Sequence, residues 1–245
     1  MLLRSGAVTT AKVAKALGIS EETARRDFEK LEAEGRLSRS HGGAVRSDDS
    51  HRDLSLNRRE IANVAEKRII AGLALKQIQA GDTIFFDASS TVFYLACLLP
   101  NLAITVVTSA LKVAVELARR PAIQVILTGG TVNPGSLSSQ GALADFVLER
   151  CHLQKAFMSC RGLDAQRGVS EANLEQAGLK QKIVNLADQT ILLADHSKMG
   201  IKSSYFFAKL ADLDALITDC KPGNAVKQVL QKGGTKLIQP EKKPI

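Results

Sequence analysis

The chain has 245 residues, of which 45% are hydrophobic and 24% are charged, and its 33 lysines and arginines outnumber its 25 aspartates and glutamates. This length fits one or two domains, and the composition excludes a largely disordered or fibrous protein. No apolar run approaches the roughly 18 residues that a membrane-spanning helix needs, and we find no cleavable signal segment, so we expect a cytoplasmic protein without a membrane partner.

The cysteines are widely spaced, at Cys97, Cys151, Cys160 and Cys220. They form no CxxC pair, and no histidine lies near them at the spacing of metal ligands. This pattern favours buried, reduced thiols over a metal site. We therefore expect neither a metal nor a cofactor.

The first 46 residues have the pattern of two helices followed by two short strands. Residues 10–17 form the first predicted helix, with the apolar Val13 and Leu17 on one face. Gly18 can adopt the left-handed conformation of a turn, and Ser20 is placed to cap a second helix. Ala24, Phe28 and Leu31 recur at helical spacing in the second helix, so we expect this apolar stripe to be buried.

The second predicted helix also carries hydroxyl and basic side chains outside its apolar stripe. Thr23, Arg25 and Arg26 point away from the stripe, which is the layout of a helix-turn-helix whose second helix faces the DNA major groove. Two-helix spacing alone has a high false-positive rate. The alternative is that the arginines only cover the solvated face of a small helical domain.

Residues 36–45 predict a β-wing, because two short strand-like arms flank polar and glycine residues. Arg36, Arg39 and His41 would be available there to phosphates or to a minor groove. The turn, the paired arginines and the glycine-rich wing together favour DNA binding over a merely solvated face.

Residues 47–60 are polar and charged without sustained periodicity, which is typical of a linker. We therefore divide the chain into an N-terminal domain at residues 1–46, this linker, and a C-terminal domain at residues 61–245. The N-terminal domain carries nine basic and six acidic side chains, and residues 221–245 carry six basic and one acidic. The sequence suggests no site for this second surplus of positive charge.

The C-terminal domain alternates short apolar runs, rich in β-branched residues, with helical segments. The predicted strands are residues 83–87, 103–108, 123–128, 155–160, 190–195 and 215–219. The predicted helices lie near residues 61–78, 91–99, 111–119, 141–150, 173–187 and 223–231. Strict alternation implies an α/β fold with a mainly parallel sheet and helices on both of its faces.

Polar and glycine residues directly follow several of these strands. Residues 87–91 (DASST) lead into a helix whose N-terminus offers backbone N–H groups, hydroxyls and a positive dipole end to an anion. The alternative is that Ser89 or Ser90 simply caps this helix. Because the carboxyl ends of parallel strands lie at one edge of a sheet, we expect these turns to form one ligand-binding mouth.

The string GISEETARRDFEKLEAEGRLSRSHGGAV, at residues 18–45, resembles the DeoR family of bacterial transcription regulators. These are winged helix-turn-helix proteins that usually repress carbohydrate operons, and the resemblance continues through the C-terminal half of the chain. It implies that double-stranded operator DNA is bound by the recognition helix and the wing, through Ser20, Thr23, Arg25, Arg26, Arg36, Arg39, His41 and Gly42.

The chain departs from the family at its N-terminus, because it begins inside the helix that normally precedes this region. An incomplete first helix would remove apolar cover from Val13, Leu17 and Phe28, at a cost of a few kcal/mol. Either the start codon is misassigned, or this is a shortened form with weakened DNA binding.

The family's effector domain resembles ribose-5-phosphate isomerase in fold, and it binds phosphorylated sugars or related intermediates. The resemblance implies effector-binding residues at Asp87, Ser89, Ser90, Thr91, Thr108, Ser109, Gly129, Gly130, Gly141, Arg161, Gly162, Asp164, Lys180 and Lys198. For Lys180 a solvated helical face is the alternative. The strings DASSTVFYLACLLP and FMSCRGLD are similar to the L-fucose operon activator branch of the family.

We therefore expect a homo-oligomeric repressor, dimeric or tetrameric, of a carbohydrate-utilisation operon that responds to a phosphorylated sugar. One alternative is an isomerase-like enzyme, but the loop after the fourth strand lacks the paired acidic residues seen in the isomerases, so we expect no catalytic residue. The other alternative is an effector-binding module whose DNA-binding domain is defective.

Overall fold

The computed structural model describes residues 7–33, 37–40, 42–45 and 56–241. The chain divides into two compact units, an N-terminal unit at Met1–Ala62 and a C-terminal unit at Asn63–Ile245. Within the described residues, no helix is long and apolar enough to cross a membrane.

Two helices and a three-stranded antiparallel sheet build most of the N-terminal unit. The helices are α1 (Thr10–Leu17) and α2 (Glu21–Ala33), and the strands are β1 (Ala7–Thr9), β2 (Ser38–Ser40) and β3 (Gly43–Val45), in the order β1–β3–β2. A further helix, α3 (Leu56–Ile61), begins inside the segment predicted as a linker and ends one residue beyond it, so that segment is not irregular throughout.

The predicted turn between α1 and α2 is confirmed. Gly18 ends α1 in the left-handed conformation, with φ 66°. The hydroxyl of Ser20 accepts a hydrogen bond from the backbone N–H of Thr23 at 3.1 Å, which satisfies one of the donors that a helix start leaves without a partner.

The predicted core of the N-terminal unit is only partly confirmed. Val13, Ala24 and Phe28 are buried, together with Leu37 from the segment before the wing. Leu17, which the sequence predicts on the same buried face as Val13, is 64% exposed. It is the last residue of α1, and it lies on the rim of a groove that Val13 and Phe28 also line.

The wing of the N-terminal unit depends on one glycine. A Cβ atom at Gly43 would lie 2.2 Å from the backbone oxygen of Val8. Strands β1 and β3 can therefore approach each other only because residue 43 has no side chain.

The described residues of the C-terminal unit, 63–241, form three sheets. In chain order its strands are β4 (Thr83–Phe86), β5 (Ile104–Thr108), β6 (Ile123–Leu127), β7 (Thr131–Asn133), β8 (Ser138–Gln140), β9 (Lys155–Met158), β10 (Gly162–Asp164), β11 (Gly168–Glu171), β12 (Thr190–Leu193), β13 (Tyr205–Ala208), β14 (Ala215–Ile217) and β15 (Lys236–Ile238). The central sheet is parallel, in the order β15–β14–β12–β9–β4–β5–β6. The six predicted strands are all in it, so the predicted α/β fold is confirmed.

Helices cover both faces of this central sheet. They are α4 (Val64–Leu75), α5 (Ser90–Leu98), α6 (Leu111–Leu117), α7 (Ala142–Leu148), α8 (Leu174–Leu186) and α9 (Asn224–Gly233), which confirms the predicted helices. Neighbouring residues of one strand enter opposite cores: Phe86 packs with Ile70 and Leu95, and Phe85 packs with Leu148 and Ile183. Burial on both faces explains why the strands are continuous apolar runs.

The two smaller sheets are not predicted from the sequence. Strands β7 and β8 form an antiparallel hairpin, and β10, β11 and β13 form a three-stranded antiparallel sheet. Each strand has only three or four residues, and several of these are polar, so no apolar period marks them.

The order of the central strands defines where a ligand would bind. From β4 the chain adds β5 and β6 on one side, and then returns to place β9 on the other side of β4. The carboxyl ends of β4 and β9 therefore flank a topological switch point, which is where open α/β sheets form a binding crevice.

Candidate nucleic-acid interface and ligand site

The exposed face of α2 carries the predicted DNA-binding residues. Thr23, Arg25 and Arg26 are exposed, whereas Ala24 between them is 1% exposed and packs into the core. Arg26 Nε lies 3.5 Å from the carboxylate of Glu22 one turn earlier. Both side chains are largely exposed, so this pair leaves the guanidinium accessible to a phosphate.

The wing is fastened to the start of α1. The backbone N–H and the hydroxyl of Thr10 both donate to the backbone oxygen of Gly42, at 2.9 and 3.1 Å. Gly42 is exposed, with φ 79°. Arg39 lies in β2, and the predicted positions Arg36 and His41 lie outside the described residues.

Asp87 joins the two strands at the switch point of the C-terminal unit. One carboxylate oxygen accepts from the backbone N–H of Ser89 at 3.0 Å. The other accepts from the backbone N–H of Ser159 at 2.9 Å and lies 2.9 Å from the ammonium of Lys180. Asp87 is only 2% exposed, and both of its carboxylate oxygens have partners within the protein.

Lys180 is the centre of a buried ion network. Its ammonium contacts Asp87, donates to the backbone oxygen of Ser159 at 2.6 Å, and forms a short ion pair with Glu171. Burial alone would lower the pKa of Lys180, but the charges of Asp87 and Glu171 outweigh burial and raise it. Three acceptors match the three ammonium protons, so a contact between Lys180 and an effector requires one of these bonds to break.

The burial of Lys180 excludes one of the two interpretations that the sequence allows for this residue. Lys180 is 4% exposed, so its interpretation as part of a solvated helical face is wrong.

Nearby Cys160 is also buried, and burial together with the charge of Glu171 raises its pKa to about 12. Cys97 is exposed, and Cys151 and Cys220 are only partly buried, so the expectation of buried thiols is confirmed for Cys160 alone.

The turn between β4 and α5 contains both a cap and further hydroxyl groups. The Ser89 hydroxyl accepts from the backbone N–H of Val92 at 3.2 Å, so Ser89 caps α5. Ser90 and Thr91, in the first turn of the helix, are 5% and 2% exposed. At the end of β5, the Thr108 hydroxyl donates to the backbone oxygen of Phe86 at 2.7 Å and thereby ties two strand ends together.

A narrow cleft lies at this carboxyl edge of the sheet. Its empty space is about 300 Å³ when the adjoining open solvent is counted, but the centre of a water-sized sphere can reach only about 10 Å³ of it, which is room for about one water molecule. Three predicted effector residues line it, Asp87, Ser109 and Lys180. The other lining residues are Phe85, Ala88, Ser138, Ser139, Gln140, Glu175, Gln176 and Leu179.

Apart from Lys180, the residues that β8 and α8 contribute to the cleft are not predicted from the sequence. In α8 the residues Glu175, Gln176, Leu179 and Lys180 recur at helical spacing, and this signal places them on one face. Strand β8 offers no comparable signal, because it reaches the cleft only through the folding of its hairpin.

Several predicted effector glycines have structural reasons of their own. Gly129, Gly130 and Gly141 have φ of 73°, 101° and 94°, which disfavours any side chain at these positions. A Cβ at Gly130 would also lie 2.4 Å from the backbone oxygen of Gln140, and one at Gly162 would lie 2.4 Å from that of Ile201.

Arg161, Gly162 and Asp164 lie in or next to the three-stranded sheet, and they are not among the residues that line the cleft. The carboxylate of Asp164 accepts from the backbone N–H groups of Gln166 and Arg167 at 3.0 and 2.8 Å. Burial raises its pKa, but these bonds and nearby Lys202 outweigh burial, so the pKa is lowered. Their effector role stays a prediction.

Lys198 lies beside a second buried aspartate, Asp195, which follows β12. It ends a 3-10 helix (His196–Lys198) that Asp195 caps, and its ammonium is 4.0 Å from Asp195 Oδ2. The Asp195 Oδ1 atom accepts from the backbone N–H of Ser197 at 2.9 Å and from the amide of Asn63 at 3.2 Å. Oδ2 is buried and accepts no hydrogen bond from any described residue.

The chemistry of the C-terminal unit is that of a polar binding site. Within the described part of the chain, no group of histidine, cysteine, aspartate or glutamate residues is arranged to hold a metal ion. Most of the residues that line the cleft carry hydroxyl, amide or charged groups, beside the apolar Phe85, Ala88 and Leu179, and the N-terminus of α5 follows Ala88.

Two domain families match the sequence. The family described as the DeoR C terminal sensor domain matches residues 62–220, and the DeoR-like helix-turn-helix domain matches residues 1–50. Among solved structures, ribose 5-phosphate isomerase A from Methanocaldococcus jannaschii is similar over 56% of this chain and 55% of its own, with a TM-score of 0.43 and 14% identity.

Individual relatives are HTH-type regulators. The chain is 44% identical to the transcriptional regulator YulB of Bacillus subtilis over 86% of this chain and 82% of that protein. It is 33% identical to the transcriptional repressor GlcR of Bacillus subtilis, over 96% and 90% of the two chains. It is 32% identical to the L-fucose operon activator of Haemophilus influenzae, over 88% and 87%. The sensor-domain match covers more than half of the chain, so the chain belongs to the DeoR family and is a helix-turn-helix transcriptional regulator, not an enzyme.

Proposed function

We propose that this regulator represses a carbohydrate-utilisation operon in the cytoplasm, and that a phosphorylated sugar controls it from the cleft at the carboxyl edge of the central sheet. In this proposal residues 1–46 bind the operator, residues 47–60 connect, and residues 61–245 bind the effector and form a dimer or tetramer. One relative, GlcR, is a repressor, and another is the L-fucose operon activator. We propose repression because members of the family usually repress carbohydrate operons.

One observation carries the proposal. The same chain pairs an exposed Thr23, Arg25 and Arg26 surface on α2 with a polar cleft at a topological switch point. The basic surface fits phosphates and base edges of DNA. The start of α5, with Ser90 and Thr91, fits an anion such as a sugar phosphate.

For the effector to control DNA binding, its affinity has to differ between the DNA-bound and the DNA-free protein. A ligand changes an equilibrium only through its different affinities for the two states. Couplings of this kind typically change affinity by about 5- to 150-fold. We expect this range for the effect of the effector on operator binding.

The test measures binding of the full chain to DNA upstream of its own gene and of neighbouring carbohydrate genes, with and without a panel of sugar phosphates. We expect specific binding that one class of sugar phosphate changes by at least about fivefold. A thermal-shift screen identifies that class, since a ligand at 100 times its Kd stabilises by about 2.7 kcal/mol. No specific binding, or no response to any member of the panel, would contradict the proposal.

A variant on α2 tests the proposed DNA face. Arg25→Ala should weaken operator binding and lower the slope of log affinity against log salt by about one, because one phosphate contact is lost. Lys232→Ala is the matched control, since Lys232 is an exposed basic residue on α9 in the C-terminal unit. An equal effect of both substitutions would remove Arg25 from the proposed interface.

A further inference from the structure

The cleft contains the donors and acceptors that match hydroxyl groups. Its lining includes the hydroxyls of Ser109, Ser138 and Ser139 and the amides of Gln140 and Gln176. The one lysine in the lining, Lys180, already has three acceptors for its three protons. Hydroxyl groups both donate and accept, so this mixture suits a polyhydroxylated group better than an anion.

Hydrogen bonds hold the β8 wall in place. The Ser139 hydroxyl bonds to the hydroxyl of Thr128 at 2.9 Å, which ties β8 to the end of β6. The Ser138 hydroxyl accepts from the amide of Gln176 at 3.2 Å, which ties β8 to α8. These hydrogen bonds define the position of the β8 wall, and a sugar has to widen the narrow cleft in order to enter it.

Gln140 is the exception within this bonded wall. Its Oε1 atom is buried, and no described residue donates a hydrogen bond to it. Its backbone is confined, because its carbonyl oxygen packs against Gly130, where a side chain would not fit. Buried acceptors without a partner are uncommon in native proteins, and each requires a reason.

We propose that Gln140 is a specificity-determining residue, whose amide oxygen accepts a hydrogen bond from a hydroxyl group of the sugar moiety of the effector. This inference rests on the proposed function and deepens it. In this proposal the phosphate lies at the start of α5, near Ser90 and Thr91, which do not line the cleft, and the cleft contacts only the polyol part of the effector. Effectors that lack this hydroxyl are rejected because they leave the amide oxygen without a donor.

The first test separates the sugar from the phosphate. Gln140→Met keeps the length of the side chain and removes the acceptor. We expect it to weaken binding of the hexose or pentose phosphate that binds the wild type by at least about tenfold, which is the loss of one good hydrogen bond. Binding of inorganic phosphate should stay within about twofold of the wild type, as Gln140 does not touch the anion.

The control is Gln228→Met, because Gln228 is an exposed glutamine on α9. It should change neither affinity. If Gln140→Met leaves the affinity for the sugar phosphate unchanged, the proposal is overturned. If it weakens both probes equally, the effect is a general disturbance of the unit, and the proposal is also overturned.

The second test identifies the hydroxyl group. A series of monodeoxy analogues of the sugar phosphate is measured on the wild type and on Gln140→Met. In the wild type, one analogue should bind at least about tenfold more weakly than the parent. In the variant, that analogue and the parent should bind equally, which a merely structural role of Gln140 would not produce. The same loss in both proteins overturns the assignment.

Failure of the proposed function is distinguishable from failure of this inference. If no sugar phosphate binds the wild type, the proposed function fails, and free hexoses and pentoses become the probes. Amide hydrogen exchange at residues 138–141 should then slow on adding a free sugar to the wild type and stay unchanged in Gln140→Met. Equal exchange with and without sugar in the wild type overturns the inference.

Discussion

Two buried aspartates at the same edge of the central sheet have opposite surroundings. Asp87 follows β4 and Asp195 follows β12, and they are 2% and 0% exposed. Both carboxylate oxygens of Asp87 have partners, and the ammonium of Lys180 lies 2.9 Å away. Asp195 uses only one oxygen for hydrogen bonds, and the ammonium of Lys198 lies 4.0 Å from the other.

The two lysines that face these aspartates differ in burial, so Lys180 has a structural role whereas Lys198 can contact solvent. The Lys180 side chain is 5% exposed and comes from within α8, whereas the Lys198 side chain is 18% exposed and lies in a surface turn. The same residue types at equivalent strand ends thus hold the fold together in one place and leave a cation open to an anion in the other. Partner count and burial, rather than residue identity, decide between these roles.

The largest expected loss of stability comes from removing the charge of Lys180, which pairs with Asp87 and Glu171. Lys180→Met leaves two buried carboxylates, Asp87 and Glu171, without a cation between them. We expect the free energy of unfolding to fall by about 3 to 5 kcal/mol, the usual cost of breaking a buried ion pair from one side. Urea unfolding followed by circular dichroism measures this loss.

The control for this substitution lies on the same helix. Lys182 is 42% exposed and pairs with Asp145 at 2.5 Å, so Lys182→Met should cost less than about 1 kcal/mol. If Lys180→Met fails to fold, adding Asp87→Asn and Glu171→Gln should restore folding, because no buried charge is then left alone. Equal losses from the two lysine substitutions would contradict the structural role of Lys180.

The intermediate effect concerns Asp195 and depends on pH. Burial raises the pKa of Asp195, but Lys198, the bonds from Ser197 and the charge of Lys67 outweigh burial and lower it. A lowered pKa contributes stability above the unfolded value of about 4, and this contribution is lost as the pH falls through the folded value. Asp195→Asn should therefore cost about 1 to 3 kcal/mol at neutral pH. The difference from the wild type should shrink as the pH falls below about 4.

Unfolding free energies of both proteins across that pH range test this sign. Asp188→Asn is the control, since Asp188 is 57% exposed and pairs with His152. A penalty for Asp195→Asn that grows as the solution becomes more acidic would mean that the protein favours the neutral form of Asp195.

Much of the fold follows from the sequence, because burial on both faces imposes continuous apolar strands. The run TIFFD predicts β4, and Phe85 and Phe86 do enter opposite cores. The polar residues directly after the strands are predictable as well, since topology alone brings them to one edge. The same reasoning identifies the exposed face of α2, where helical spacing separates Arg25 from Phe28.

The remainder depends on contacts between distant residues. Gln140 and Asp87 line one cleft only because a hairpin of two three-residue strands folds back over the sheet. The saturation of Lys180 depends on Glu171 and Ser159, which no local pattern connects to it. The sequence places a lysine and an aspartate near a strand end, but it does not show whether they meet.

The smallest expected effect on stability belongs to Lys198. Its ammonium forms no short contact with Asp195 and is partly exposed, so Lys198→Met should change the free energy of unfolding by less than about 1 kcal/mol. The same substitution should raise the pKa of Asp195, since the charge of Lys198 lowers it. It should also reduce the thermal shift caused by inorganic phosphate, whereas Lys202→Met, at a 53% exposed lysine, should not. A stability loss as large as that of Lys180→Met would make Lys198 a second structural lysine and remove the distinction between the two aspartates.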